Sequence, residues 1–307
     1  MNLTILFQYE RIIRLDKKGR TPVMEENLKK ADEERRKFIA DCLTYDTPRL
    51  NSEKYPEDVE VTSDIPYTEG LTLDLYTPQD AKEDEVFLLT HGGAFVYGSK
   101  ALDKCFGMHL AIKSGITVAN MDYTLMPDAD LKGQLEEIFK AVSFLAGKGK
   151  KVFHTAGDSA GGYLAFITAV LINSEEARKA CGIDLNADVR AASANLICTM
   201  YKTPEDTFPG VYFEQKEKLP SFIYDLSEAV LKYGSPAVVI ATGDLDFLRE
   251  DDRELSKFLE AQGIKTKFYD AISEGERKMY HVYPISCPTW PEGAHVIELI
   301  SDNANGR

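Results

Sequence analysis

Val152-Phe153-His154-Thr155-Ala156-Gly157-Asp158-Ser159-Ala160-Gly161-Gly162 is the stretch on which the reading of this chain turns. An apolar run of strand length ends at a glycine and gives way to small residues that can open a helix. Ser159 stands at the centre of a Gly-x-Ser-x-Gly spacing, where the chain turns so sharply from strand to helix that flanking side chains would collide. Glycine at 157 and 161 removes those collisions and leaves the serine exposed at the apex, the place of a nucleophile.

Upstream, His91-Gly92-Gly93-Ala94-Phe95 follows a second continuous apolar run, Val86 to Leu89. Acyl transfer turns a carbonyl oxygen into an anion, and a loop poor in side chains lets backbone N–H groups point at that charge in a dry site. Gly92 and Gly93 suit such a loop. The plainer alternative, a Gly-Gly turn between strand and loop, weakens once the segment is set beside the Ser159 elbow.

A hydroxyl is a poor nucleophile near neutral pH, so Ser159 needs an imidazole to take its proton and a carboxylate to orient that imidazole. Behind an elbow of this kind they follow in the order serine, acid, histidine. A third apolar run, Ala237 to Ala241, leads into Thr242-Gly243-Asp244-Leu245-Asp246-Phe247-Leu248, which offers two aspartates. Of the five histidines only His281 and His295 come later, and His295 follows Pro291, which reads as the first residue of a closing helix. His154 lies in the strand feeding the elbow and His109 on a helix-like stretch with Leu110 and Ile112.

These motifs resemble those of the hormone-sensitive-lipase-like branch of the α/β-hydrolase esterases. The pattern H-G-G-G-[FY] corresponds to His91 through Phe95, and G-D-S-A-G-G to Gly157 through Gly162. Asp-Tyr-x-Leu-x-Pro falls on Asp122, Tyr123, Leu125 and Pro127, G-x-x-D-x-L on Gly243, Asp246 and Leu248, and H-[GV]-F on the segment beginning at His281. The resemblance spans most of the chain after residue 59. It implies an α/β-hydrolase fold, a mostly parallel eight-stranded sheet with helices on both faces and a helical cap. It also implies a catalytic set of Ser159, Asp246 and His281, with Asp244 as the alternative acid, and oxyanion donors at the N–H groups of Gly93, Ala94 and Ala160, braced by His91 and Gly92. The reaction implied is hydrolysis of carboxylic esters of short to medium acyl chains through an acyl-enzyme, without cofactor or metal. The family's third glycine is Ala94 here, so the loop is expected to hold a conformation that alanine accepts, with less room for a bulky alcohol.

Composition narrows the partners. The 307 residues, 44% of them hydrophobic, can bury one large core. Lys plus Arg total 36 against 50 Asp plus Glu, and the net charge of −14 repels nucleic acid and anionic membrane alike. Five scattered cysteines without a C-x-x-C indicate neither a disulfide framework nor a zinc site and suggest a reducing compartment. No apolar stretch approaches membrane-spanning length, so a cytoplasmic protein acting on a small-molecule ester is expected. A homodimer stays open.

Along the chain, Thr21 reads as an N-cap with Pro22 at the first helical position, and Met24, Leu28, Ala31, Phe38, Ile39 and Cys42 recur at helical spacing. Val59 to Ile65 and Leu71 to Leu75 alternate, as half-buried antiparallel strands do. From Val86 onward strands alternate with helices, at Val86 to Thr90, Ile116 to Met121, Val152 to Ala156, Ala194 to Cys198, Ala237 to Ala241 and Ile264 to Tyr269, the pattern of an α/β sheet covered on both faces. Helices are predicted to close at Gly147 and Gly263, and another over residues 222–233. The expected organisation is a cap segment over residues 1–58, a first core part over 59–200, a cap insertion over 201–234 and a second core part over 235–307. Phe95, Asp158, Tyr212 and Phe213 are candidate pocket residues. Amidase or deacetylase action on the same machinery, and a non-catalytic binding protein on a hydrolase scaffold, are the competing functions.

Overall fold

Successive side chains of a strand leave on opposite faces, so an unbroken apolar run feeds two apolar layers at once. Val86 and Leu88 enter one buried layer and Phe87 and Leu89 the other; Val238 and Ile240 divide from Val239 and Ala241 in the same way. The protein is represented by a computed structural model that describes residues 22–203 and 219–307. Tyr212 and Phe213, like the N-cap reading of Thr21, lie outside the described residues.

Among the described residues the strands are β1 (Val59–Thr68), β2 (Leu71–Pro78), β3 (Glu85–Thr90), β4 (Thr117–Met121), β5 (Val152–Asp158), β6 (Arg190–Ile197), β7 (Ala237–Gly243) and β8 (Thr266–Ala271). They form one sheet in the order β1-β2-β4-β3-β5-β6-β7-β8. β1 pairs antiparallel with β2, and β2 with β4; the pairings from β4 through β8 are parallel. The antiparallel edge is where the sequence alternates, and the inner parallel strands β3 and β7 are where it is continuously apolar, while the other edge, β8, is half-buried.

Among the described residues the helices are α1 (Pro22–Ser52), α2 (Lys104–Ser114), α3 (Leu131–Gly147), α4 (Ala160–Asn173), α5 (Glu175–Cys181), α6 (Leu226–Tyr233), α7 (Arg249–Ala261), α8 (Tyr283–Ser286) and α9 (Pro291–Ala304). α2 and α9 pack on each other over one face of the sheet; α3, α4, α6 and α7 cover the other. α3 begins before its periodic apolar residues because Asp130 caps it, accepting the Gly133 N–H at 2.9 Å. Gly147 is its last residue rather than its stop, and the left-handed turn comes at Gly149, at φ 92°. The helix predicted over 222–233 divides into a 3₁₀ turn, Ser221–Ile223, and α6, since the Asp225 carboxylate accepts the Ser227 N–H and starts a new helix. α1 continues past Cys42 to Ser52, helped by Arg49, whose guanidinium donates to Asp46 and Glu53 one turn away on either side.

Candidate active site

The elbow forms where β5 runs into α4. Thr90 of β3 aligns with Gly157 of β5, and a Cβ on Gly157 would stand 2.5 Å from the Thr90 carbonyl oxygen. One on Gly161 would overlap the carbonyls of Thr90 and His91, so only glycine lets α4 start this close to β3. Ser159 itself has φ 50° and ψ −120°, a left-handed value costing a non-glycine residue roughly 1–3 kcal/mol. The surroundings impose it: the Ser159 N–H donates to the Ile197 carbonyl at 2.8 Å, and its own carbonyl accepts from the Thr199 hydroxyl at 3.0 Å.

The loop after β3 turns through Gly93 at φ 108°, Ala94 at 52° and Phe95 at 64°. The N–H groups of Val96 and Tyr97 both donate to the Gly93 carbonyl, at 3.0 and 2.9 Å. Below the loop, the Asp158 carboxylate accepts the Gly92 N–H at 2.8 Å. His91 Nδ1 lies 2.7 Å from the Gly92 carbonyl, which requires that nitrogen to carry the proton. The ring stacks on Tyr123, centroids 4.3 Å apart, and burial lowers its pKa to about 4, so it is a neutral brace. Among the described residues no hydrogen bond uses the N–H of Gly93, Ala94 or Ala160. Ala94 departs from expectation, since its φ is one alanine adopts only under constraint.

At the end of β7, Asp246 is fully enclosed. Its Oδ1 accepts from His281 Nδ1 at 2.8 Å and from the Leu248 N–H at 2.9 Å; its Oδ2 accepts from the Thr242 hydroxyl at 3.0 Å. Burial pushes the carboxyl upward, but the hydrogen bond and charge of His281, the Cys198 thiol and the Leu248 N–H outweigh it and hold Asp246 below the ordinary range. Asp244 instead accepts from the Ser273 hydroxyl, and among the described residues no hydrogen bond joins it to His281. The His281 side chain is 22% exposed, with the Phe247 ring 4.2 Å from its own. Among the described residues neither Ser159 Oγ nor His281 Nε2 takes part in a hydrogen bond. The two segments are nonetheless joined: Ile197 accepts the Ser159 N–H, and the next residue, Cys198, accepts the Val282 N–H on Sγ at 3.2 Å.

Two of the other histidines, His154 and His295, have structural partners. His154 lies between Ser193 Oγ and Glu85, His295 on α9 faces Glu298 and Tyr269, and His109 is half-buried on α2. Phe95 is fully buried, edge-on to Tyr163, and Asp158 is buried under the loop. Three residues without a motif also belong to this edge. Asp103, the buried N-cap of α2, is pushed well above the carboxylate range by burial and by Asp158, which burial raises to about 6. Asp252 on α7 is likewise raised by burial and accepts the Thr199 N–H at 3.0 Å. Cys198 touches both the Asp246 and the His281 segments, a placement visible only across the sheet. One donor atom each of Cys198, Asp246 and His281 lies within 4.8 Å of the others, the spacing of a metal site. Nδ1 and Sγ are already occupied by Asp246 and Val282, so the set is closed by its own hydrogen bonds.

The strand order, with serine, glycine loop, acid and histidine all delivered to the C-terminal edge of parallel strands, is that of the α/β hydrolases. The family described as "alpha/beta hydrolase fold" matches residues 87–283, and the chain belongs to it. The acetyl esterase of Salmonella dublin is 28% identical over 219 residues, spanning 65% of this chain and 67% of that one. Esterase B of Lactobacillus rhamnosis, in a complex with a tributyrin phosphonate, superposes with a TM-score of 0.79 at 23% identity over 92% of this chain and 96% of its own. An esterase of the bacterial hormone-sensitive lipase family superposes with a TM-score of 0.68 at 20% identity, over 94% and 99%. No helix of the described residues is long and apolar enough to cross a membrane.

Proposed function

We propose that this protein is a serine hydrolase cleaving carboxylic esters of short to medium acyl chains through an acyl-enzyme intermediate. The observation that carries the reading is the 2.8 Å bond from His281 Nδ1 to Asp246, made by a ring whose second nitrogen is unspent and whose loop is bonded to the strand end beside the Ser159 elbow. As Ser159 Oγ bonds to the substrate carbonyl carbon, its proton passes to His281 Nε2, while Asp246 stays ionised and stabilises the imidazolium through Nδ1–H. The carbonyl oxygen, now anionic, accepts hydrogen bonds from the N–H groups of Gly93, Ala94 and Ala160. Collapse of the adduct breaks the ester C–O bond, and Nε2 returns the proton to the departing alcohol. Water then attacks the acyl carbon, giving a proton to Nε2, and Ser159 leaves with it.

Two findings favour a short acyl group: the relatives named acetyl esterase, and the C4 phosphonate bound by the Lactobacillus esterase. The cap assignment draws on α1. The Tyr97 hydroxyl donates to Asp46 at 2.9 Å, Arg49 donates to the Leu102 carbonyl at 3.2 Å, and Phe38 stands edge-on to Tyr97, all against the segment following the glycine loop. These contacts support the cap reading of residues 1–58; 201–234 is read as a second cap element whose α6 end packs into the core through Leu226, Ala229 and Val230, with 59–200 and 235–307 as core.

A fluorophosphonate probe tests the class, because only an activated serine reacts with it. Labelling of the intact protein and its loss in Ser159→Ala is the expected result; an unlabelled intact protein overturns the hydrolase reading. A chromogenic panel from acetyl to decanoyl esters, run with matched anilides, reads acyl length and separates esterase from amidase action. In the same panel Tyr212→Ala and Phe213→Ala are expected to shift the preferred acyl length, whereas a uniform loss would remove them from the pocket.

A further inference from the structure

Cys198 looks in sequence like one of five unremarkable thiols, yet it stands where three loops meet. It follows β6 directly, is fully buried, and has φ 51°, uncommon for a residue with a side chain. Its N–H donates to the Ala241 carbonyl of β7 at 2.8 Å, so its backbone is clamped into the neighbouring strand. The residues on either side hold the serine: Ile197 accepts the Ser159 N–H, and the Thr199 hydroxyl donates to the Ser159 carbonyl. On the other side, Sγ accepts the N–H of Val282, which adjoins His281 and itself has φ 54°.

A thiol has one proton to give and a sulfur that accepts weakly. The accepting role is taken by Val282, so the proton remains for an acceptor within reach, and the Asp246 carboxylate lies in the same 4.8 Å cluster. That carboxylate already receives His281, Leu248 and Thr242, and a carboxylate accommodates about four donors. Burial, reinforced by the charges of Asp246 and Asp252, raises the thiol well above its ordinary range, which keeps the proton in place.

We infer that Cys198 is a positioning residue for the Asp246–His281 pair, its S–H donating to the acid while its Sγ holds the Val282 N–H of the loop that carries the base. The inference rests on the reading of Ser159, Asp246 and His281 as the catalytic set. Alanine at 198 would leave the Val282 N–H and one Asp246 lone pair without partners. Serine would keep both roles at shorter reach.

The test compares Cys198→Ala and Cys198→Ser in the full chain by kcat and KM on an acetyl ester, and by the low-field proton resonance of His281 Nδ1–H, assigned through its loss in His281→Gln. The alanine variant is expected to lose about tenfold to a hundredfold in kcat, with KM within about twofold and the resonance moved upfield. The serine variant recovers most of both. An alanine variant with wild-type kcat and an unmoved resonance overturns the inference. So does equal impairment of both variants accompanied by a lower melting temperature, which makes Cys198 a packing residue. The resonance needs no turnover: if the wild-type protein neither hydrolyses esters nor takes the fluorophosphonate, the function fails while the resonance still decides the role of Cys198.

Discussion

Two histidine–carboxylate pairs occupy opposite ends of the same sheet. At the N-terminal end, His154 of β5 sets Nε2 3.1 Å from Glu85 and Nδ1 2.8 Å from Ser193 Oγ, in a ring only 1% exposed. At the C-terminal end, His281 gives Nδ1 to Asp246 at 2.8 Å and keeps Nε2 unspent, in a side chain 22% exposed. The ion-pair chemistry is the same; the surroundings differ. His154 sits in a regular strand with both nitrogens consumed, and burial lowers its pKa, so it is a satisfied core residue. His281 sits on a loop at an edge where Ala94, Phe95, Ser159, Cys198 and Val282 all have positive φ. Backbone strain gathers where a structure over-determines a working geometry. A histidine–carboxylate pair is thus no mark of a site by itself.

The largest effect that could break this comparison comes from removing each ring. His281→Ala is expected to lower kcat by about 10⁶-fold on an acetyl ester, whereas His154→Ala keeps kcat within about threefold and lowers the melting temperature. Similar kinetic losses in both would erase the distinction. The carboxylates come next: Asp246→Asn should cost about 10⁴-fold in kcat, while Glu85→Gln and Asp244→Asn stay within about threefold, and a large loss in Asp244→Asn alone would reassign the acid.

Titration sharpens the contrast through opposite signs. Burial raises Asp158 to about 6 from 3.8, so the folded state holds its proton more tightly than the unfolded chain. The resulting stability is complete below about pH 4 and lost as pH rises through about 6. Glu85 runs the other way: burial raises its pKa, but Lys82 and His154 more than offset that and lower it, so its contribution is present above 4.5 and lost as pH falls through the folded value. Melting temperatures from pH 4 to 7 should therefore climb for Asp158→Asn relative to wild type, and fall for Glu85→Gln relative to wild type. Parallel curves for the two variants would remove the electrostatic difference between the ends. The smallest effect concerns the loop itself. Ala94→Gly relieves a left-handed alanine and opens space, so the rate ratio of tertiary to linear alcohol esters should rise about threefold; an unchanged ratio would mean that the Ala94 methyl does not face the alcohol.

Much of the architecture was legible because its causes are local. The inner parallel strands β3 and β7 announced themselves as unbroken apolar runs, since both faces of the sheet are covered there, and β1 and β2 by alternation, whereas β8, with Lys267 and Asp270, is only half-buried. The Ser159 elbow was legible because glycine at 157 and 161 answers to backbone collisions within a few residues. Helix ends were less so: Asp130 and Asp225 moved the starts of α3 and α6 through single capping bonds that apolar periodicity does not register. Standing beside a motif also says little about direction, and Phe95 and Asp158, next to the loop and the serine, turn into the interior. Cys198, Asp103 and Asp252 carried no signal, because each acquires its meaning from groups on other strands.

Sequence alone determined which segments become strands, where the chain must turn without a Cβ, and the order in which serine, acid and histidine appear, because side-chain volume and apolar period act over a handful of residues. Only the folded sheet decided that Asp246 rather than Asp244 meets His281 across 35 residues, that Asp158 holds Gly92 across 66, and that Cys198 reaches Val282 across 84. Those contacts form because parallel strands deliver their C-terminal ends to one edge, and no local property of the chain encodes which side chains will face each other there.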